Sequence, residues 1–224
     1  MTEYKSCGGS LNWLANKTRC DLAAAASLLQ KGSPTLEDLR EMYKMVSYAQ
    51  EHAEVGITLN PVPWHIMIIV DITDSSWANA EDLKSQMGFF VLATTFKALS
   101  TGAYGSILEY KSFRSKRSLK STLAAEAAAK DSGVDHAVYL NAFLSELLTG
   151  VRAKDQEPLF QHFSVTDCKC LYDAVRQATP SLTEKRTIID LTDTRDALAK
   201  DHLLWIPTHE MMADGLTKVT KDLM

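Results

Sequence analysis

The chain has 224 residues and a formal net charge of −4, and 46% hydrophobic against 23% charged residues is the balance of a chain that can bury a sizeable core. No apolar run approaches the roughly 18 residues of a membrane span, and the opening MTEYKSCGGS lacks the basic start and apolar stretch of a signal peptide, so an intracellular protein without a membrane partner is expected. The four cysteines, Cys7, Cys20, Cys168 and Cys170, form no C-x-x-C pair, which argues against a zinc ribbon and for reduced thiols.

In chain order, residues 9 to about 53 read as a helical pair. Leu11, Leu14, Ala15, Leu22, Ala25, Ala26 and Leu29 recur at helical spacing. Gly32-Ser33-Pro34 interrupts them, and Ser33 or Thr35 is placed to cap a second helix with Leu36, Leu39, Met42 and Val46 on one face. From residue 56 the pattern changes. The run IMIIV (66–70) is continuously apolar, as in a strand buried on both faces. GFFVLATT (88–95) and SILEYK (106–111) follow with short connections, which suit antiparallel neighbours. KSFRSKRSLK (111–120) then holds five basic residues and no acid, between the third predicted strand and the next helix. That helix covers 121–148, capped by Ser121 or Thr122, with Ala137, Leu140, Leu144 and Leu147 on one face and a break at Gly133. A strand (162–167), helical patterns at 168–177 and 183–199, a strand from His202 and a short helix near Glu210 complete the chain. This order predicts an α/β arrangement with one mixed sheet.

Acidic residues punctuate these elements. IMIIV leads to Asp71 and Asp74, and FSVTD ends at Asp167. Ligand sites in open α/β sheets lie beyond the carboxyl ends of strands, so parallel neighbours would bring these carboxylates together. Glu126 is the lone acid of LAAEAAA, on a face small enough to approach a sheet, and Asp214 follows the last strand. Phosphodiester hydrolysis needs this kind of donor: hard carboxylate oxygens around two Mg2+ ions about 4 Å apart. Alone, an Asp at a strand end is more often a turn former and Glu126 more often a solvated surface charge; the ordered set points to a metal nuclease.

Several segments resemble the ribonuclease H region of copia-type retrotransposon polyproteins. ITDSSWANAEDLKSQMGFFV is similar to the family's opening, an aspartate before a Trp-Ala pair and a Lys-Ser-x-x-Gly turn. RSKRSLKSTLAAEAAA resembles the helix bearing the catalytic glutamate, FSVTDCKCLYDA the strand with the third acid, and IPTHEMMADGLTK the closing Ala-Asp and Thr-Lys motif. GSLNWLANKTRCDLAAAASLL is similar to the connection between reverse transcriptase and ribonuclease H, with Cys20 where proline is usual, and Ser76 stands where a second aspartate is common.

The resemblance implies a ribonuclease H-like fold: a five-stranded mixed sheet with helices on both faces, residues 56–224, plus a helical appendage at 1–55. It implies Asp74, Glu126, Asp167 and Asp214 as catalytic metal ligands for two Mg2+ ions, with Mn2+ able to substitute. Asp74 is preferred to Asp71 because TDSSWA carries the motif. Lys111, Arg114, Lys116, Arg117 and Lys120 would contact an RNA–DNA hybrid, with Tyr110 and Phe113 available for stacking. The reverse transcriptase part of the same polyprotein is the other implied partner, in a cytoplasmic retrotransposon particle or the nucleus. His209 is the nearest counterpart of the histidine that many ribonucleases H place before the last aspartate, but the surrounding loop differs, and an exposed loop residue is the preferred reading. No Asp-Asp pair occurs, so the polymerase centre is absent. Competing readings are an inactive relic that binds nucleic acid or protein, and an integrase-like nuclease, for which three acids are usual.

Overall fold

The computed structural model describes residues 2–177, 184–198 and 201–219. Three helices open the chain: α1 (Thr2–Lys17), α2 (Ala23–Leu28) and α3 (Leu36–Glu51). The predicted pair therefore begins earlier and has three members. Gly8 sits inside α1 where a Cβ would stand 3.2 Å from the Met42 side chain, so the glycine lets α1 and α3 cross closely. Thr35 caps α3 through a capping box with Asp38. The buried face of α3 is Met42 and Met45, with Leu39 and Val46 half-buried, while Leu36 lies exposed beside the cap.

The sheet contains β1 (Met67–Ser76), β2 (Lys84–Thr95), β3 (Ser106–Ser118), β4 (Gln161–Thr166) and β5 (Leu203–Trp205), in the order β3-β2-β1-β4-β5. The first three are antiparallel neighbours; β4 runs parallel to β1, and β5 parallel to β4. Two strands exceed their predicted lengths. β1 continues through both aspartates, because its polar end still pairs with β2 as far as Ser76↔Gln86. β3 continues to Ser118, so four of the five basic residues lie on an edge strand and only Lys120 lies in the connection to the next helix.

The other helices are α4 (Thr122–Thr149), α5 (Lys169–Arg176), α6 (Lys185–Ala197) and α7 (Asp214–Thr217); residues 183 and 199 of the predicted 183–199 helix lie outside the described residues. Ser121 caps α4 by accepting from the Ala124 amide at 3.1 Å. Gly133 does not break α4. A Cβ there would stand 2.4 Å from Thr73 Cγ2, so the glycine marks where α4 presses onto β1. Leu147, predicted for the inner face, is 68% exposed because α4 has run past the sheet.

Side chains alternate across β1. Ile68, Val70 and Ile72, with Phe90, Phe163 and Val165, face a core shared with Leu11, Leu22, Met42 and Met45 of the N-terminal helices and Leu216 of α7. Ile69, Phe89 and Val91 face the other way, against Ala137 of α4. Helices thus cover both faces of a five-stranded mixed sheet, the arrangement expected from the ribonuclease H resemblance.

One polar cluster crosses the α4 side of this core. Lys130, fully buried, donates to Ser164 Oγ (2.7 Å), the Val165 carbonyl (2.7 Å) and Asp71 Oδ2 (3.1 Å). Ser164 Oγ and His162 Nε2 complete the shell of Asp71 at 2.8 and 2.7 Å. The Lys130 charge and these hydrogen bonds outweigh burial and hold the Asp71 carboxyl below its usual range. Removing one partner of such a pair strands the other charge in the core. Lys130→Met is expected to cost about 3–5 kcal/mol in urea denaturation; a loss below about 1 kcal/mol would show that the pair does not fix α4 to the sheet.

Candidate active site

The four predicted acids come from four different elements. Asp74 lies within β1 opposite Gly88, Glu126 in the first turns of α4, Asp167 immediately after β4, and Asp214 at the start of α7. The β1–β4 ladder ends at Ile72↔Val165, so β1 projects beyond its parallel neighbour. Around that uncovered edge the carboxylates from the two faces feel one another. Burial pushes the Asp74 carboxyl up to about 6, assisted by the charges of Asp214 and Asp167 and opposed by Thr217 and Lys218. Burial, then the charge of Asp74, pushes Glu126 up to about 8.

Each acid is held locally. Asp74 and Gly88 point to the α7 side, where a Cβ on Gly88 would stand 2.4 Å from Leu216 Cβ; the glycine admits α7 and brings Thr217 Oγ1 to donate to Asp74 Oδ2. Glu126 accepts a 2.9 Å hydrogen bond from Ser75 Oγ on the opposite side of β1. Its second oxygen, Oε2, is buried without a hydrogen-bond partner, although the residue is only 4% exposed. A buried carboxylate oxygen left bare is unfavourable unless a cation or proton meets it. Asp214 Oδ1 accepts from Lys218 Nζ at 2.6 Å. Among the described residues no three His, Cys, Asp or Glu side chains already stand in position to grip one ion; Thr217 and Lys218 occupy two of the four acids instead. The donor set, all hard oxygen with one orphaned and buried, fits a divalent cation such as magnesium.

The turn after β1 braces both flanking helices. Trp77 Nε1 donates to the Leu119 carbonyl at 2.8 Å, just ahead of the Ser121 cap of α4. Asn79 Nδ2 donates to the Thr217 carbonyl at 3.2 Å, and its Oδ1 accepts from the Gln86 amide at 3.0 Å. Ala78 between them takes a left-handed φ of 53°, a strained conformation for a residue with a Cβ. Sequence reasoning passed over Lys130, Asn79, Thr217 and Lys218, although the Trp-Ala and Thr-Lys pairs stood in the quoted motifs.

The basic residues of β3 differ in what they already engage. Arg114 turns to the N-terminal helices, donates to the Gln30 carbonyl and lies 3.5 Å from Glu81. Lys111, Arg114, Lys116 and Arg117 join Phe113 and Arg186 along an open groove of about 720 Å³ beside α4 and α6; Arg117 approaches the buried Asp190 at 3.8 Å. Lys120 is exposed. Tyr110, predicted for stacking, is engaged: its hydroxyl donates to the Ala15 carbonyl at 2.5 Å. Phe113 packs edge-on against Phe89 under Lys111. His209 is exposed beside Glu210, and His202 stacks on Phe163 while its Nδ1 meets the His162 carbonyl at 2.7 Å.

Raised acids set the sign of the pH response. Glu126 moves from 4.5 to about 8 and Asp74 from 3.8 to about 6, so the folded state holds more protons than the unfolded chain between these limits. Their contribution is fully present at low pH and is lost as pH rises through about 6 and then 8. Without metal, stability should therefore fall from pH 5 to pH 8.5, and Glu126→Gln should flatten the decline. Urea denaturation in chelator across that range measures it; an unchanged slope in Glu126→Gln would mean that Glu126 is ordinarily ionised.

No protein-family model matches the chain, and a search of curated proteins finds no match. Among solved structures, the chain is similar to the N-terminal ribonuclease H domain of a Mycobacterium tuberculosis protein, with 14% identity, 67% of this chain and 91% of that chain covered, and a TM-score of 0.44. A ribonuclease H1 isolated from compost gives 15% identity, 66% and 91% coverage and a TM-score of 0.45. A foamy-virus protease-reverse transcriptase solved with an RNA/DNA hybrid gives 14% identity, 67% and 19% coverage and a TM-score of 0.38. These likenesses concern fold alone; what the chain does has to be argued from its own residues.

Proposed function

We propose that this chain is a metal-dependent endonuclease that cleaves the RNA strand of RNA–DNA hybrids, and that it derives from the reverse transcriptase/ribonuclease H region of a copia-type retrotransposon polyprotein. The observation that carries the reading is the unpartnered, buried Oε2 of Glu126, a carboxyl that feels the charges of Asp74 and Asp167. An oxygen so placed is ready for a cation. Asp74, Glu126, Asp167 and Asp214 would hold two Mg2+ ions, or Mn2+ in their place, and such ions activate water and stabilise the leaving oxygen of a phosphodiester. The chain's own part is to fix the carboxylates from both sides of β1: Ser75 orients Glu126, Thr217 orients Asp74, and the 77–79 turn ties α4 and α7 to the same strand end. The polyprotein origin rests on the ordered motifs from TDSSWA to ADGLTK, and it makes the reverse transcriptase part a packing partner for residues 1–55.

The test is cleavage of a labelled hybrid beside duplex DNA and duplex RNA, with magnesium or with chelator. Cleavage of the RNA strand of the hybrid alone, dependent on magnesium and reduced at least about 100-fold in Asp167→Asn with the melting temperature retained, is expected. Hybrid binding without cleavage would favour a catalytically inactive relic, and full activity in Asp167→Asn would remove that residue from the centre.

The hybrid's backbone would be met by the exposed lysines of β3 and its exit, Lys111, Lys116 and Lys120, with Arg117 and Arg114 drawn partly into their own ion pairs. Lys111→Ala with Lys116→Ala should weaken binding of all hybrids alike and flatten the salt dependence by about one unit per lost phosphate contact. Affinities at several salt concentrations, with calcium in place of magnesium, measure this; an unchanged slope would move the backbone contact away from β3.

A further inference from the structure

Lys218 is paired with one of the acids, Asp214, without belonging to any step of the proposed reaction. It follows α7, the four-residue helix that begins at Asp214. Its Nζ lies 2.6 Å from Asp214 Oδ1. The residue before it, Thr217, is fully buried and gives its hydroxyl to Asp74. Two consecutive residues of one short segment therefore each engage a different acid of the cluster. The Lys218 charge also interacts with Asp74 and Asp167. The clustered acids are matched by one further sign of a cation site, the bare Glu126 Oε2 buried on the other side of β1.

We infer that Lys218 is a tethered counter-ion of the acid cluster: in the metal-free protein its ammonium neutralises part of the charge of Asp214, Asp74 and Asp167, and a divalent cation binds by displacing it. The inference rests on the metal-site reading above and goes beyond it, because it makes metal affinity a competition inside the chain. Carboxylates that feel one another's charge, as these do, repel when bare. A covalently attached ammonium relieves the repulsion without any ion from solution, and it has to leave Asp214 before the two oxygens of that carboxylate are both open to a metal. Its side chain is 52% exposed, so it can swing into solvent without disturbing the core, and water screens the pair to the modest strength of an exposed ion pair. Thr217, by contrast, is locked in the core, so Asp74 stays oriented whether or not the lysine has moved.

The experiment is calorimetric titration of magnesium into the whole chain without nucleic acid, using the parent, Lys218→Met, Lys218→Arg and Asp167→Asn, with melting temperatures read in chelator and at saturating magnesium. Lys218→Met should bind magnesium about fivefold more tightly than the parent, the worth of one exposed ion pair. Lys218→Arg, which keeps the charge, should stay near the parent. In chelator Lys218→Met should melt below the parent, and saturating magnesium should close the gap. Equal or weaker binding in Lys218→Met, or binding as tight in Lys218→Arg as in Lys218→Met, would overturn the inference and leave the metal site standing, provided that Asp167→Asn loses affinity. No magnesium binding by the parent or by Lys218→Met would overturn the metal site and the inference together.

Discussion

The buried pair of Lys130 and Asp71 is the contact on which the geometry of the site depends. Lys130 lies one helical turn beyond Glu126 on the same side of α4, so the point at which the lysine is anchored to β1 and β4 determines where the glutamate is presented. Its ammonium reaches both parallel strands at once, through Asp71 and through Ser164 with the Val165 carbonyl. A salt bridge in a core gains little net stability over a packed apolar pair. What it supplies here is register: α4 cannot slide along the sheet without leaving two charges unpaired. The strand ends carrying Asp74 and Asp167 and the helix carrying Glu126 are thereby held in one relation.

Two glycines make the corresponding allowance on the two faces of the sheet. Gly133 lets α4 rest on Thr73, and Gly88 lets α7 rest beside Asp74; a Cβ at either would stand 2.4 Å from a neighbouring side-chain atom. Acids carried on opposite sides of β1 can meet only where the sheet gives out, and it gives out where β4 stops at Thr166 while β1 continues to Ser76. The site is thus a consequence of unequal strand lengths, close helix approach on both faces and one fixed helix register.

The sequence made part of this legible. Apolar runs marked the strands, Ser121 and Thr35 marked helix starts, and the order of the acids followed the order of the elements, because all of these are local signals. Contacts made at long separation were not legible. Lys130 reads as an ordinary residue of an alanine-rich helix until Asp71, 59 residues earlier, is placed against it. Gly133 reads as a helix breaker, since nothing nearby in the chain reveals that a strand lies against it. The polar end of β1 reads as a turn, yet its pairing with β2 keeps it in the sheet. Tyr110 looked available for a base because its partner, the Ala15 carbonyl, lies 95 residues away on α1.

In the proposed function, Asp74, Glu126, Asp167 and Asp214 form one centre that gathers divalent metal around the open edge of β1. The most direct measurement is a crystal of the chain soaked in manganese with a bound hybrid, with the metal located by its anomalous scattering. Two peaks about 4 Å apart are expected, enclosed by these four carboxylates, with Lys218 Nζ withdrawn from Asp214. Manganese bound elsewhere, or no peak among the four acids while the hybrid is in place, would contradict the proposed centre.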